Sequence, residues 1–329
     1  VLPLKFLCCC QAADIAWTNL NGGNWSVAAN WNPNHAPAPG DNAWLTNSGT
    51  YTVNLDVSPG ISSLALGGGS GQQTLTNSNS GNTLTLGGAS VVNANGVFAL
   101  GGGTLAGGGP LSIKGRFIWT GGALGGFTTV TIETNAVLDI GGAAGKVLNG
   151  ILTNAGTVTW TGTGNLQIVN NGSTVDGVLY NAAGAVFAIQ NDQTILNYTG
   201  LEYINNAGVF RKLGGIGTTT FSVALTNSGT LDVESGTVTL NSGGASSGIF
   251  TNVAGTTIAQ AAGNYTFLAG SQVVGAGTNL WTGGTVTAGI AVGTSNVELA
   301  GATLLGTNSF TGAVTWSAGA IGAFANVTI

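Results

Sequence analysis

Charge and reactive side chains are scarce in this sequence. Of 329 residues only six are Lys or Arg and 11 are Asp or Glu, with one His and no Met. With a net charge of −5, no basic patch can form to meet phosphates, which excludes nucleic acid as a partner. The lone His35, in Asn34-His35-Ala36-Pro37, rules out a multi-His metal site and a Ser-His-Asp triad within the body of the chain, and it reads as an exposed loop residue. The recurrent Asp of calcium-binding nonapeptides is missing. Gly67-Gly68-Gly69, Gly101-Gly102-Gly103 and Gly107-Gly108-Gly109 lack the Lys-Ser/Thr that completes a phosphate loop, so they read as bends. No cofactor and no metal is implied.

Long apolar runs are also absent. None reaches the roughly 18 residues that cross a bilayer, because 58 glycines interrupt them. Helix is disfavoured by the same glycines and by apolar residues that alternate instead of recurring at three and four. The three cysteines are confined to Cys8, Cys9 and Cys10, leaving the rest of the chain without a disulfide or thiolate site. Residues 1–13 read as the remnant of a signal peptide, with cleavage near Ala12 or Ala13; lipidation of one of the three cysteines is disfavoured by the bulky Leu7 before them. The expected location is extracellular, secreted or at the cell surface.

What the chain does have is 43% hydrophobic residues, enough for a core, arranged in a recurring phrase. An apolar residue, a spacer, Asn and a small Gly-containing bend precede alternating apolar residues. Copies place Asn154, Asn181, Asn206, Asn227 and Asn252 at successive steps of 27, 25, 21 and 25 along the chain. Such a period is about one coil of a β-helix. One coil cannot bury its apolar face alone, whereas coils stacked about 4.8 Å apart pair every strand and close a continuous core. Gly supplies bends of positive φ, and stacked Asn amides can bond to one another as a structural ladder. The expected fold is therefore all-β, a right-handed parallel β-helix (β-solenoid) of 21–27 residues per coil. A second phrase, Trp119 to Ile132, recurs without a gap as Trp316 to Ile329, with a partial copy from Trp281.

Residues 14–66 differ from the rest of the chain. They hold Trp17, Trp25, Trp31 and Trp44, four of the six prolines and the only His. An open solenoid end exposes strand edges and core, so this segment is expected to be an N-terminal cap with the first strands, succeeded by solenoid repeats over 67–329 that are truncated at the C-terminus and continue into further coils of the same polypeptide.

The stretch Asn24-Trp25-Ser26-Val27-Ala28-Ala29-Asn30-Trp31-Asn32-Pro33, then Pro39-Gly40-Asp41-Asn42-Ala43, resembles the opening of large secreted bacterial repeat proteins of the autotransporter-passenger and filamentous-adhesin type, including those with autotransporter-associated β-strand repeats. The Asn-x-Gly-Thr phrases extend the likeness loosely along the chain. The resemblance implies a surface-exposed or released β-helix contacting cell-surface, matrix or glycan receptors.

The expected function is thus a non-catalytic structural or adhesive rod, with no catalytic residues assigned. The alternative is a carbohydrate-active enzyme, a polysaccharide lyase or glycosidase, which needs converging acids. Its best candidates are Asp232 and Glu234, on one face of Leu231-Asp232-Val233-Glu234, with Arg211 one 21-residue step earlier. That spacing already predicts a cross-coil ion pair needing no reaction. A glycan-binding module would instead show outward Trp or Tyr in a row. Alternation puts Trp160 beside Val158 and Trp316 beside Val314 in the core, and turns Thr157, Thr159, Thr237 and Thr239 outward, though at offsets of 3 and 10 from the preceding Asn, too irregular for a uniform ice-binding array.

Overall fold

The computed structural model describes residues 12–126, 128–170, 177–199, 201–288, 293–294, 296–310, 312–322 and 325–328. The leader expected over 1–13 and its three cysteines lie outside them, apart from Ala12 and Ala13. The chain is all-β, a solenoid of parallel stacked coils with about 13 turns, and its only helical segment among the described residues is the short 3-10 turn Ala28–Asn30. Twelve spacings of about 4.8 Å make a stack about 60 Å long.

Each coil lays one strand on each of three faces, here A, B and C. A central coil runs through Thr129–Ile132 on face A, Val137–Ile140 on face B and Lys146–Leu148 on face C; Ile151–Asn154 then returns to face A in parallel register with Thr129–Ile132. The sequence step between register partners falls to 314 − 297 = 17 for Val297 and Val314 and rises to 53 − 23 = 30 for Gly23 and Val53, a wider range than the expected 21–27. From Ser90–Val92 to Thr285–Ala288 every strand keeps three to five residues. The variation sits in the corners: the turn from face A to face B takes only residues 114–115 in one coil but 67–72 in another.

Side-chain alternation builds the interior. Leu111, Val130, Leu152, Leu179, Ile204 and Leu225 are successive register partners on face A, and all are buried. Each such side chain contributes about 1.5–3 kcal/mol on burial. The buried apolar residues form one cluster from Ile15 to Phe310, so the core is continuous along the stack.

Coil stacking already begins within the tryptophan-rich segment. Asp14–Trp17 pairs in parallel with Asn42–Leu45 and in antiparallel fashion with Trp31–Asn32. Trp31 meets Trp17 and Trp25 edge to face, with ring centroids 5.0 and 4.7 Å apart. Trp17 Nε1 donates to the Asn19 carbonyl at 2.6 Å and Trp31 Nε1 to the Trp25 carbonyl at 2.7 Å, so these two rings are buried with their polar edges satisfied. Trp44 does not join them: it alternates with buried Ala43 and Leu45 and so points outward, 41% exposed.

The tryptophan phrase marks a corner and not a face. Trp119 ends a face-B strand, whereas Trp281 and Trp316 lie on face C. Three residues after each Trp comes a glycine in the left-handed region: Gly122 at φ 80°, Gly284 at 69° and Gly319 at 95°. A Cβ there would fall on a backbone carbonyl of the preceding coil, that of Gly103, Gly263 or Ala302. The phrase recurs because the corner admits nothing larger. Trp119, Trp160 and Trp281 are buried as expected, but Trp316 is 58% exposed. It holds the register position over Leu299, in a strand that among the described residues pairs on one side only, which leaves more than half of its surface open.

Candidate functional site

Four of the five predicted ladder residues form one column on face A. Asn154 Nδ2 donates to Asn181 Oδ1 at 2.8 Å, Asn181 Nδ2 to Asn206 Oδ1 at 2.7 Å, and Asn206 Nδ2 to Asn227 Oδ1 at 2.7 Å. The second proton of each of these three amides reaches a carbonyl at the start of the next coil's face-B strand, Val186, Val209 or Thr230. The fully buried amides are thereby satisfied and tie faces A and B together. Aliphatic residues occupy the same column below, with Ile113 and Ile132 leading to Asn154. Asn252 is not the next rung. Ser246 takes that place, accepting from Asn227 Nδ2 at 3.2 Å, while Asn252 ends a face-B strand between Val233 and Gly275 and donates to the Thr278 carbonyl at 2.9 Å. Both strand types end at a corner where an inward Asn can satisfy backbone groups, so the same phrase serves two columns.

Arg211 and Asp232 are direct register partners on face B, as the 21-residue step predicts. Arg211 Nε lies 2.7 Å from Asp232 Oδ2 and 3.3 Å from Glu234 Oε1, so one guanidinium faces both carboxylates. The same device recurs lower on face B, where Arg116 Nε contacts Asp139 Oδ2 at 2.5 Å. Half-exposed pairs of this kind are worth about 0–1 kcal/mol each and relieve like-charge repulsion along the stack.

Two other lysines lie inside, a feature missed by a sequence reading that weighed only charges falling in pairs. Lys212 takes a core position between Ile189 and Val233. Its ammonium donates to the Asn191 and Gly214 carbonyls, the Thr219 hydroxyl and Asp192 Oδ1 over 2.6–3.1 Å. Burial pushes the Asp192 carboxyl up, but the Lys212 ammonium and the Gly217 amide outweigh it and hold its pKa below the usual range. Lys146, equally buried, donates among the described residues to the Gly142 carbonyl alone, at 3.2 Å, and burial lowers its pKa. Glu202 is a buried carboxylate, 2% exposed. Burial opposes its ionisation, yet the amides of Thr199, Glu202 and Asn170 and the Thr199 hydroxyl bring its pKa down to about 2.

The outward residues are mostly short. Thr157 and Thr159 belong to face B and Thr237 and Thr239 to face C, so they form no common array. Within face C, Thr218, Thr237, Thr257 and Thr278 do align on successive coils. Outward aromatic neighbours occur at Tyr180 and Tyr203, whose hydroxyls are 2.8 Å apart and whose rings meet at 87°, an edge-to-face pair and not a flat platform. His35 is exposed in its loop. No group of three or more metal-ligating side chains occurs among the described residues, and no helix there is long and apolar enough to cross a membrane.

The architecture defines a β-solenoid repeat protein. No protein-family model matches the chain, and neither a curated protein nor a solved structure does.

Proposed function

We propose that this chain is a segment of an extracellular, non-catalytic surface rod of the autotransporter-passenger or filamentous-adhesin type, contacting cell-surface, matrix or glycan receptors through its faces. The observation that carries the reading is the handling of charge on the outer surface: the carboxylates of Asp232, Glu234 and Asp139 are each held by an arginine Nε, Arg211 or Arg116, between strands whose other outward residues are chiefly Thr, Val and Ala. Such faces offer weak contacts that repeat every coil and gain strength by multivalency.

Beads coated with the chain at graded densities, applied to immobilised matrix and cell-surface glycans, test this. Adhesion should rise more steeply than coating density. No adhesion at any density would end the adhesive reading. The enzymatic alternative has its own arm: release of sugar products from a polysaccharide, abolished by D232N or E234Q, would replace the rod with a catalyst.

A further inference from the structure

A groove of about 580 Å³ runs over four coils at the corner between faces A and B. Its origin is unequal corner length. The turns at 67–72, 93–95 and 133–136 are longer than the two-residue turn Lys114-Gly115 lying among them, which leaves a dent along the stack. Gln72, Asn95, Lys114, Arg116, Asn135 and Asp139 contribute its polar lining. Four coils span about 14 Å along the axis, which suits a short linear oligomer lying parallel to it.

Charge at this corner is distributed unlike that on the rest of the molecule. Lys146 and Lys212 are buried, so Lys114, Arg116 and Arg211 are the described cations that reach solvent. Two of these three line the groove. Arg116 gives its Nε to Asp139 and keeps its terminal N–H groups free to donate. Lys114 is exposed, and its side chain has neither an ion pair nor a hydrogen bond among the described residues. Glu133, beside Lys114 in the next coil, lies outside the lining, with its Oε1 taken by the Ser112 hydroxyl at 2.7 Å. Asn135 holds the left-handed conformation at φ 69°, a region that costs a side-chain-bearing residue about 1 kcal/mol or more. Its amide stands at the groove wall with Gln72.

We propose that this groove binds a linear acidic oligosaccharide of the uronate class, with Lys114 and the free guanidinium N–H groups of Arg116 receiving a sugar carboxylate and the amides of Gln72, Asn95 and Asn135 meeting ring hydroxyls. A planar guanidinium can take a carboxylate with two parallel N–H bonds, a geometry an ammonium alone does not fix. The overall charge of −5 repels polyanions, so retention of one must come from a local site. The inference rests on the surface-contact reading above but places recognition in one site instead of summing it over faces.

Calorimetric titration of the full chain with a homogeneous tetramer of galacturonic acid at low salt tests it, with maltotetraose as the neutral control. Saturable one-to-one binding is expected, weakened by salt and at least about tenfold in K114A, which changes an exposed side chain and spares the fold. Absence of binding at millimolar sugar, equal binding of the neutral tetramer, or an unaltered K114A would each overturn it. If the titration fails while the coated beads still adhere to glycans, the groove is wrong and the rod stands; if both fail, the surface-contact reading falls too.

Discussion

Lys146 and Lys212 place their ammonium groups at the same corner of the solenoid, between faces B and C, under opposite conditions. Lys212 enters from the end of a face-B strand and meets four acceptors, including a carboxylate; Lys146 enters from the start of a face-C strand and meets one carbonyl. A buried ammonium is tolerable where its protons are matched and costly where they are not. K212M should therefore destabilise the chain by about 2–4 kcal/mol, since it strips Asp192 and the Gly214 carbonyl of the ammonium that bonds them. K146M should be neutral or stabilise by about 1 kcal/mol. The sign for Lys146 follows from its lowered pKa: its cost is full at pH below the folded-state value and fades as pH rises through the ordinary lysine range. Denaturant melts of the two variants at pH 7 check the contrast, and a loss in K146M equal to that in K212M would contradict it.

The asparagine column makes a positional prediction. Asn206 sits mid-ladder and serves Asn181, Asn227 and the Thr230 carbonyl, so N206A should cost about 3 kcal/mol through unmet polar groups and a small cavity. Asn154 is the first rung, stacked on Ile132. N154I prolongs the aliphatic column by one residue and fills the space of the amide; it unpairs the Asn181 oxygen, the Val186 carbonyl and the Gly156 N–H, but it opens no cavity, so its loss should be smaller than that of N206A. Equal losses in thermal melts would mean that the amides act independently and not as a column.

Much of this fold was legible in the sequence, for reasons the residues themselves explain. Arg211 and Asp232 could be paired by subtraction because the local step is 232 − 211 = 21, kept constant by two-residue corners. The recurring phrase misplaced Asn252, because the step after Leu225 shortens to 244 − 225 = 19, as the Leu225 to Gly244 register shows, and Ser246 fills the rung in place of Asn. The period hid this, since the step from Asn227 to Asn252 fits the expected range while crossing to another face. Lys146, Lys212 and Glu202 gave no signal because a charge without a visible partner reads as an exposed one. The groove was invisible for a different reason. It arises from differences in corner length between neighbouring coils, which no single phrase encodes.

Acid should act through Glu202. Its folded pKa, about 2, lies below the ordinary 4.5, so its contribution to stability is complete above pH 4.5 and is lost as pH falls toward 2. E202Q should therefore melt below the parent at pH 7 and converge with it near pH 2.5. The Asn170 and Thr199 amides, which both donate to its Oε1, lie in neighbouring segments, so their protection against hydrogen exchange, taken relative to the intrinsic rate at each pH, should fall together over the same pH interval. Protection that stays unchanged at both while pH crosses this window would show that the carboxylate is not what holds them.

The glycine of the tryptophan phrase supplies a last test, because backbone conformation and available space can be separated. Gly284 has φ 69° and a neighbouring carbonyl, that of Gly263, where a Cβ would go; Gly255 has φ 84° with open space around it. Conformational strain alone costs about 1–2 kcal/mol per residue. G255A should lose about that much. G284A adds a steric conflict with backbone, which cannot yield as a flexible side chain can, and should lose about 3 kcal/mol or more. In a stack of nearest-neighbour coils the damage should stay local, so hydrogen exchange ought to rise in the strands Asn264–Phe267 and Thr285–Ala288 while the face-A strands around Asn154 keep their protection. If G284A instead melts no earlier than G255A, steric exclusion at the corner is not what makes the phrase recur.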